Sequence, residues 1–328
     1  MPPESAAWGS ARIDAILGLA EKGLLAPDEL ARAGDAAPLA PHPADWRRGA
    51  ERLLSFAGIA LLAIGLIFFF AYNWQDLHRF AKLGLAWGGL AACVLAGLFL
   101  PAGGAAQRAS LLGASLGTGM LLALIGQTYQ TGADMWQLFA AWLVLMTPFA
   151  LLARSSASWL LWILLANLAL GRVLALSMGP LALFDLSERD SLLLFAALNL
   201  FLALAFEAFP RRLLLTPRRH LPRLLALLWI GPLATGAGMG WFGAEMRPLL
   251  PVFVAVAGSA FWFHYRQRRD VPILALLLFA AIGVLGLGLV RVMPDSFLGF
   301  NLVALFLIAA TGYAAVWLMG LLRQGGGR

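Results

Sequence analysis

Two short polar stretches contain most of the side chains in this sequence that could bind a ligand. They read "YNWQDLHRFAK" and "GQTYQTGADMW". The candidate binding residues in them are Asn73, Trp74, Asp76, Lys82, Gln127, Tyr129, Gln130, Asp134 and Trp136. Amides, a phenol, indoles, two carboxylates and one amine supply hydrogen bonds and charge-assisted contacts. The chemistry that they predict is binding of a polar group.

Catalytic and metal-binding patterns are missing from the sequence. The single cysteine, Cys93, excludes disulfide frameworks and paired-cysteine zinc sites. The four histidines are scattered without metal-like spacing, and no HExxH, GxSxG or Walker-type motif occurs. We therefore expect no catalytic residue, no cofactor and no metal, and we favour a protein that is not an enzyme.

The elements that position the two stretches are membrane helices. The chain is 61% hydrophobic and 12% charged, against about 45–50% and about 25% in soluble domains. Apolar runs long enough to cross a bilayer recur along the chain, which predicts an all-α polytopic membrane protein with about ten transmembrane helices. The predicted spans are 53–72, 80–100, 109–125, 136–153, 157–176, 191–209, 221–242, 249–265, 271–290 and 297–322.

The basic residues predict the orientation of these spans. With both termini in the cytoplasm, 18 of the 24 lysines and arginines lie on the inner side, as the positive-inside rule requires. Both polar stretches then face outward. The net charge of +7 follows from this topology, so we expect no nucleic acid as a partner.

Residues 1–50 have the composition of a soluble segment. Ile13, Ile16 and Leu17 share one helix face, Gly23 ends that helix, and Pro27 opens the next. We predict a small cytoplasmic helical hairpin followed by a Pro- and Ala-rich linker, with the transmembrane bundle occupying residues 51–328. The hairpin either lies on the bilayer and its own loops or docks a cytoplasmic partner.

Three interpretations of the polar stretches stay open. They are ordinary interfacial helix ends, a structural clasp between the two loops, or a site for a ligand or headgroup. A clasp would pair Lys82 with Asp76 or Asp134, because an ammonium just inside a span is costly unless paired.

The same stretches carry a family resemblance. "YNWQDLHRFAKLGL", followed by "LIGQTYQTGADMWQLFAAWLVLMTPFALLARS", resembles the bacterial predicted-membrane-protein family catalogued as domain of unknown function 2157, over about residues 12–155. The resemblance implies a multi-pass protein of the bacterial inner membrane with no known reaction. It marks Asn73, Trp74, Lys82, Gln127 and Tyr129 as positions of interest.

The span interiors contain small and neutral polar residues. Gly113 and Gly117 are four apart, which predicts close helix packing. Asn167 and Asn199 are mid-span amides that we expect to bond across helices. Because no Asp, Glu, Lys or His lies near a span centre, proton-coupled transport and intramembrane proteolysis are disfavoured.

The function that we predict is a non-enzymatic membrane scaffold or accessory component. Its periplasm-facing polar patch would bind a partner, a lipid headgroup or an envelope precursor. The alternative is a transporter or lipid flippase whose outward-facing cavity is lined by the same residues. The expected partners are membrane lipids and a possible protein in the membrane or periplasm; the oligomeric state is left open.

Overall fold

The computed structural model of the chain describes residues 77–130, 132, 134–177, 186–293 and 296–325, together with the single positions 46, 47, 50, 54 and 61. All of the described long helices belong to one compact unit, Arg79–Arg328. The predicted hairpin and linker of residues 1–50 and the predicted span 53–72 fall outside the described ranges. The domain boundary near residue 50 therefore stays a prediction.

Nine long helices and one short helix follow each other along the described ranges. They are α1 (Arg79–Phe99), α2 (Ala105–Tyr129), α3 (Met135–Ala153), α4 (Ser156–Ser177), α5 (Glu188–Ala208), the short α6 (Pro210–Leu213), α7 (His220–Met239), α8 (Leu249–Phe263), α9 (Val271–Val292) and α10 (Phe297–Gly325). A π-helical turn, His264–Arg268, continues α8. These ranges contain no strand, which confirms the all-α class. Helices satisfy their own backbone groups, as a lipid environment demands.

Eight of the nine long helices are long and apolar enough to cross a membrane. The exception is α8, which has 15 residues. Every predicted span from 80–100 onward coincides with one of the nine helices. The structure therefore confirms a multi-pass helical protein with eight candidate spans in the described ranges, and the total of about ten stays a prediction.

The largest difference between predicted and observed helix ends is at α2. This helix has 25 residues and exceeds the predicted span 109–125 by about one turn at each end. Hydropathy detects the part of a helix that suits hydrocarbon, whereas the helix itself continues into the headgroup layer. Gln127 and Tyr129 consequently lie in the last turn of α2, and the connection to α3 is shorter than expected.

Small residues bring α2 close to α1. A Cβ added at Gly113 would lie 3.0 Å from Cys93 Sγ, and one added at Gly117 would lie 3.5 Å from Leu90 Cα. Both neighbours belong to α1. A side chain at Gly113 would push the two helices apart, so the glycine permits the close approach.

Helix α7 is the centre of the bundle. It packs against α5, α8 and α9, and Leu225, Trp229 and Leu233 on it are almost fully buried. In its most apolar window 56% of the residues are buried, against 11% in α1 and α10. The outer helices therefore expose much of their apolar surface, as lipid-facing helices do.

A pair of asparagine amides joins α4 to α5. Asn167 Nδ2 donates to Asn199 Oδ1 at 3.1 Å, and Asn199 Nδ2 donates to Asn167 Oδ1 at 2.8 Å. Each amide also donates to a carbonyl four residues earlier on its own helix, at 2.9 Å. Asn199 is 1% exposed. The pair is thus a saturated contact between two packed helices.

The up-and-down course of the helices gives the bundle two ends. The ends of α3, α5 and α8 and the starts of α2, α4, α7 and α9 lie together, as the bond from Leu215 N–H to Arg154 O at 3.0 Å illustrates. We call this the arginine-rich end. The ends of α2, α4, α7 and α9 and the starts of α1, α3, α5, α8 and α10 lie at the opposite end.

Candidate functional site

The junction between α2 and α3, at the opposite end, brings five of the predicted site residues together. We call this group the polar tip: Gln127, Tyr129, Gln130, Asp134 and Trp136. Gln130 ends α2 in the left-handed conformation, with φ 44°. Gly132 follows with φ 64°, a conformation that glycine adopts without strain. The backbone N–H of Asp134 then donates to Gln137 Oε1 at 3.2 Å and starts α3.

The polar groups of the tip point away from the core. The side chains of Gln127, Gln130 and Asp134 are exposed, and Tyr129 is 54% exposed. The tip therefore presents two amides, a phenol and a carboxylate on one short surface.

Trp136 adds a donor that lacks an acceptor. Its Nε1 is buried and has no hydrogen-bond partner among the described residues. By contrast, Trp142 Nε1 donates to Ser115 O at 2.7 Å, and Trp162 Nε1 donates to Thr147 Oγ1 at 3.0 Å. A buried donor without an acceptor costs about 1–3 kcal/mol, so Trp136 is an exception among the indoles of α3 and α4.

The other half of the predicted patch is described only at Lys82. Asn73, Trp74 and Asp76 lie outside the described residues, whereas Lys82 lies in the first turn of α1 and is half-buried. Of the ion pairs between described residues, none joins Lys82 to Asp134. A clasp from Lys82 to Asp76 falls outside what the structure describes.

The arginine-rich end contains a set of ion pairs that the sequence analysis did not identify. We call it the paired cluster: Glu207, Arg219, Arg223, Arg268 and Asp270. The carboxylate of Asp270, at the start of α9, is 2% exposed and lies 3.0 Å from Arg223 Nε and 3.7 Å from Arg219 Nε. A carboxylate so deeply buried is stable in its charged form only with such partners.

Glu207, in the last turn of α5, is the second acid of the paired cluster. Its side chain is 14% exposed and pairs with Arg219, while Arg268 Nη2 lies 3.1 Å from Glu207 Oε2. Arg219 therefore contacts both carboxylates. The paired cluster connects the ends of α5 and the π-helical turn to the starts of α7 and α9.

His264 lies beside the paired cluster, in the π-helical turn beyond α8. It is buried, and its Nδ1 has no hydrogen-bond partner in the described part of the chain. Burial lowers the pKa of His264, while the charges of Glu207 and Asp270 oppose that shift. The imidazole is therefore held in its neutral form more strongly than an exposed histidine.

The arrangement at the paired cluster is that of a structural network. Within the described residues, no group of three or more His, Cys, Asp or Glu side chains could hold a metal ion. One sequence signal could have revealed the cluster. Beyond residue 51, Glu207 and Asp270 are the only acids on the predicted inner side, and both are close in sequence to arginines.

Comparison with known proteins identifies one family. Residues 18–159 match the family model described as "Predicted membrane protein (DUF2157)", which confirms the resemblance found in the sequence over nearly the same residues. The matched range includes α1, α2, α3 and the polar tip. No curated protein and no solved structure matches the chain.

Proposed function

We propose that this membrane protein is a non-enzymatic scaffold or accessory component whose polar tip binds a protein partner on the outer face of the bacterial inner membrane. The observation that carries the proposal is the exposure of Gln127, Tyr129, Gln130 and Asp134 together at the α2–α3 junction. Exposed polar side chains of this kind are available to a partner.

The chemistry of the tip favours a protein surface over an anionic ligand. Its exposed groups are two amides, a phenol and a carboxylate, and the buried Nε1 of Trp136 has no acceptor in the described part of the chain. Amides and aromatic hydroxyls hydrogen-bond readily to peptide groups, and aromatic residues are enriched in protein interfaces. An anionic ligand would instead require arginines or lysines at the tip.

The distribution of basic residues supports the outward position of the tip. Described arginines concentrate at the other end of the bundle, as in Arg211, Arg212, Arg218, Arg219 and Arg223. By the positive-inside rule, this distribution favours an arginine-rich end in the cytoplasm and a polar tip outside.

The transporter or flippase alternative has less support from the bundle interior. Transport would use polar mid-span groups facing a cavity, and Asn167 and Asn199 are the best candidates in α4 and α5. Their amides are already bonded to each other and to helix carbonyls, and Asn199 is almost fully buried. They are therefore poorly placed to coordinate a passing solute.

Site-specific photocrosslinking in native membranes tests the proposal. The full chain would carry a benzophenone amino acid in place of Tyr129, and a matched variant would carry it in place of Tyr313, which is 76% exposed on α10. We expect one discrete protein adduct from position 129 and lipid adducts alone from position 313. Identical adduct patterns at the two positions would contradict the proposal.

The orientation is checked in the same membranes with a thiol probe. Gln130→Cys, in a Cys93→Ala background, should react with a membrane-impermeant thiol reagent in intact spheroplasts. Labelling only after lysis would place the tip in the cytoplasm and overturn the outer-face assignment.

A further inference from the structure

A second polar region lies at the arginine-rich end, on the opposite side of the membrane from the polar tip. It is a cavity of about 570 Å³ bounded by the start of α2, the α3–α4 junction and the segment that leads into α7. Its polar lining includes Arg108, Arg154, Ser156, Arg218 and His220. We call it the basic groove.

Among the described residues, the arginines of the basic groove have no carboxylate partner. No ion pair among the described residues involves Arg108, Arg154 or Arg218, and the groove lining contains no Asp or Glu. Arg154 donates through Nη2 to the carbonyl of Arg211, but its Nε is buried and has no acceptor within the ranges that the structure describes. Three guanidinium groups around one cavity form a site of net positive charge that an anion would neutralise.

Helix geometry adds to this positive potential. Helices α2 and α7 both start at the basic groove, and neither has a side-chain hydrogen bond that caps its first turn. Their first backbone N–H groups and the positive ends of their helix dipoles therefore lie near the arginines. Arg218 and His220 flank the start of α7 directly.

An apolar wall of the groove is formed by two of the candidate membrane spans. Ala109 and Leu112 come from α2, while Ala157 and Leu160 come from α4. Leu160 is 39% exposed. A ligand with a charged head and an apolar chain can place the head among the arginines and the chain along this wall.

We propose that the basic groove binds the phosphate group of an anionic phospholipid, with its acyl chains lying along α2 and α4. Arginine forks match phosphate oxygens in bidentate geometry. A zwitterionic headgroup fits less well, because its ammonium would meet guanidinium groups and no carboxylate. This inference does not depend on the role proposed for the polar tip.

The test compares lipid binding in a double variant and in a matched control. The full chain is reconstituted in phosphatidylcholine nanodiscs with a minority of phosphatidylglycerol, and retained lipids are counted by native mass spectrometry. Arg108→Gln combined with Arg218→Gln should weaken phosphatidylglycerol retention about 30-fold, which is about fivefold for each arginine. The control, Arg247→Gln combined with Arg291→Gln, removes two exposed arginines from the opposite end and should leave retention unchanged.

Two results would overturn the inference. Equal losses in the double variant and the control would show that phosphatidylglycerol responds to total charge and not to the groove. Equal retention of phosphatidylcholine and phosphatidylglycerol by the unchanged protein would show that the groove does not select an anionic headgroup. Melting curves in phosphatidylcholine alone establish that both variants are folded.

A separate melting experiment distinguishes binding of a free anion from binding of a lipid. Inorganic phosphate is added to the protein in nanodiscs that contain only phosphatidylcholine. We expect no rise in melting temperature, whereas phosphatidylglycerol raises it. A rise with inorganic phosphate that disappears in the double variant would assign the groove to a soluble phosphate compound and refute the lipid.

Discussion

Arg218 and Arg219 are neighbours in the chain and both line a small cavity beside Glu207, yet among the described residues only Arg219 of the two forms ion pairs. Arg219 enters the paired cluster and contacts the carboxylates of Glu207 and Asp270. Arg218 is exposed and lines the basic groove, whose described lining contains no acid. Arginines that contact Glu207 on α5 or Asp270 at the start of α9 therefore contribute to packing, whereas arginines without such a contact are available for a ligand.

The two regions differ in how much hydration stabilises their charged side chains. Asp270 is 2% exposed, so its charge depends on the guanidinium groups beside it. The side chain of Arg218 faces solvent, and hydration stabilises its charge without a protein partner. We infer that the paired cluster stabilises the fold, while the basic groove contributes little to stability.

The largest effect should come from removing the buried charge. Asp270→Asn keeps the side-chain volume but leaves Arg219 and Arg223 without one carboxylate. Because both arginines are about one-third or more exposed, the cost should lie near the low end for a buried pair, about 3 kcal/mol. Equilibrium unfolding in mixed detergent and dodecyl sulfate micelles measures it.

The control for this substitution is an ion pair at the opposite end. Arg189 pairs with Asp190 at 3.1 Å, and both side chains are about one-third exposed. Arg189→Gln should cost less than about 1 kcal/mol. Equal costs for Asp270→Asn and Arg189→Gln would remove the distinction between a buried and an exposed pair.

A smaller effect should appear as a pH dependence of stability near the paired cluster. Burial lowers the pKa of His264 below its ordinary value of 6.5, so the unfolded chain binds a proton more readily than the folded protein. The stability linked to His264 is present above that value and is lost as the pH falls towards the folded-state pKa. The melting temperature should therefore decrease from about pH 7.5 to about pH 5.5.

Two histidine variants test whether His264 causes this pH dependence. The charged groups that act on His264 are Glu207, Asp270, Arg219 and Arg268, and the substitutions leave them in place. His264→Gln should flatten the decrease in melting temperature, whereas His220→Gln, at an exposed position, should preserve it. Identical slopes for the two variants would show that another group is responsible.

The sequence predicted the helices better than it predicted their contacts. Hydropathy located α1 and every later long helix. An apolar helix of this kind is recognisable from the length and composition of its own sequence, without knowledge of its neighbours. The span predicted for α2 was too short at both ends, because residues such as Arg108 and Gln127 are polar but still helical. The number of candidate spans follows from local composition, and the exact helix ends do not.

The sequence marks the two acids of the paired cluster, but it does not predict which arginines they pair with. Arg223 and Asp270 are 47 positions apart, and Arg268 and Glu207 are 61 apart. They meet because α7 packs against both α5 and α9, a neighbour relation that no single span encodes. The polar tip was easier to predict, since its five residues lie within one short connection between consecutive helices.

The smallest effect on stability is expected for the basic groove. Arg108→Gln and Arg218→Gln should each change the free energy of unfolding by less than about 0.5 kcal/mol when anionic lipid is absent. The direction should be towards stabilisation, because each change removes one of several like charges around the cavity. Unfolding in zwitterionic detergent measures this, with Asp270→Asn as the reference for a structural charge. A loss as large as that of Asp270→Asn would mean that these arginines hold the fold together, and the contrast between the two regions would then be wrong.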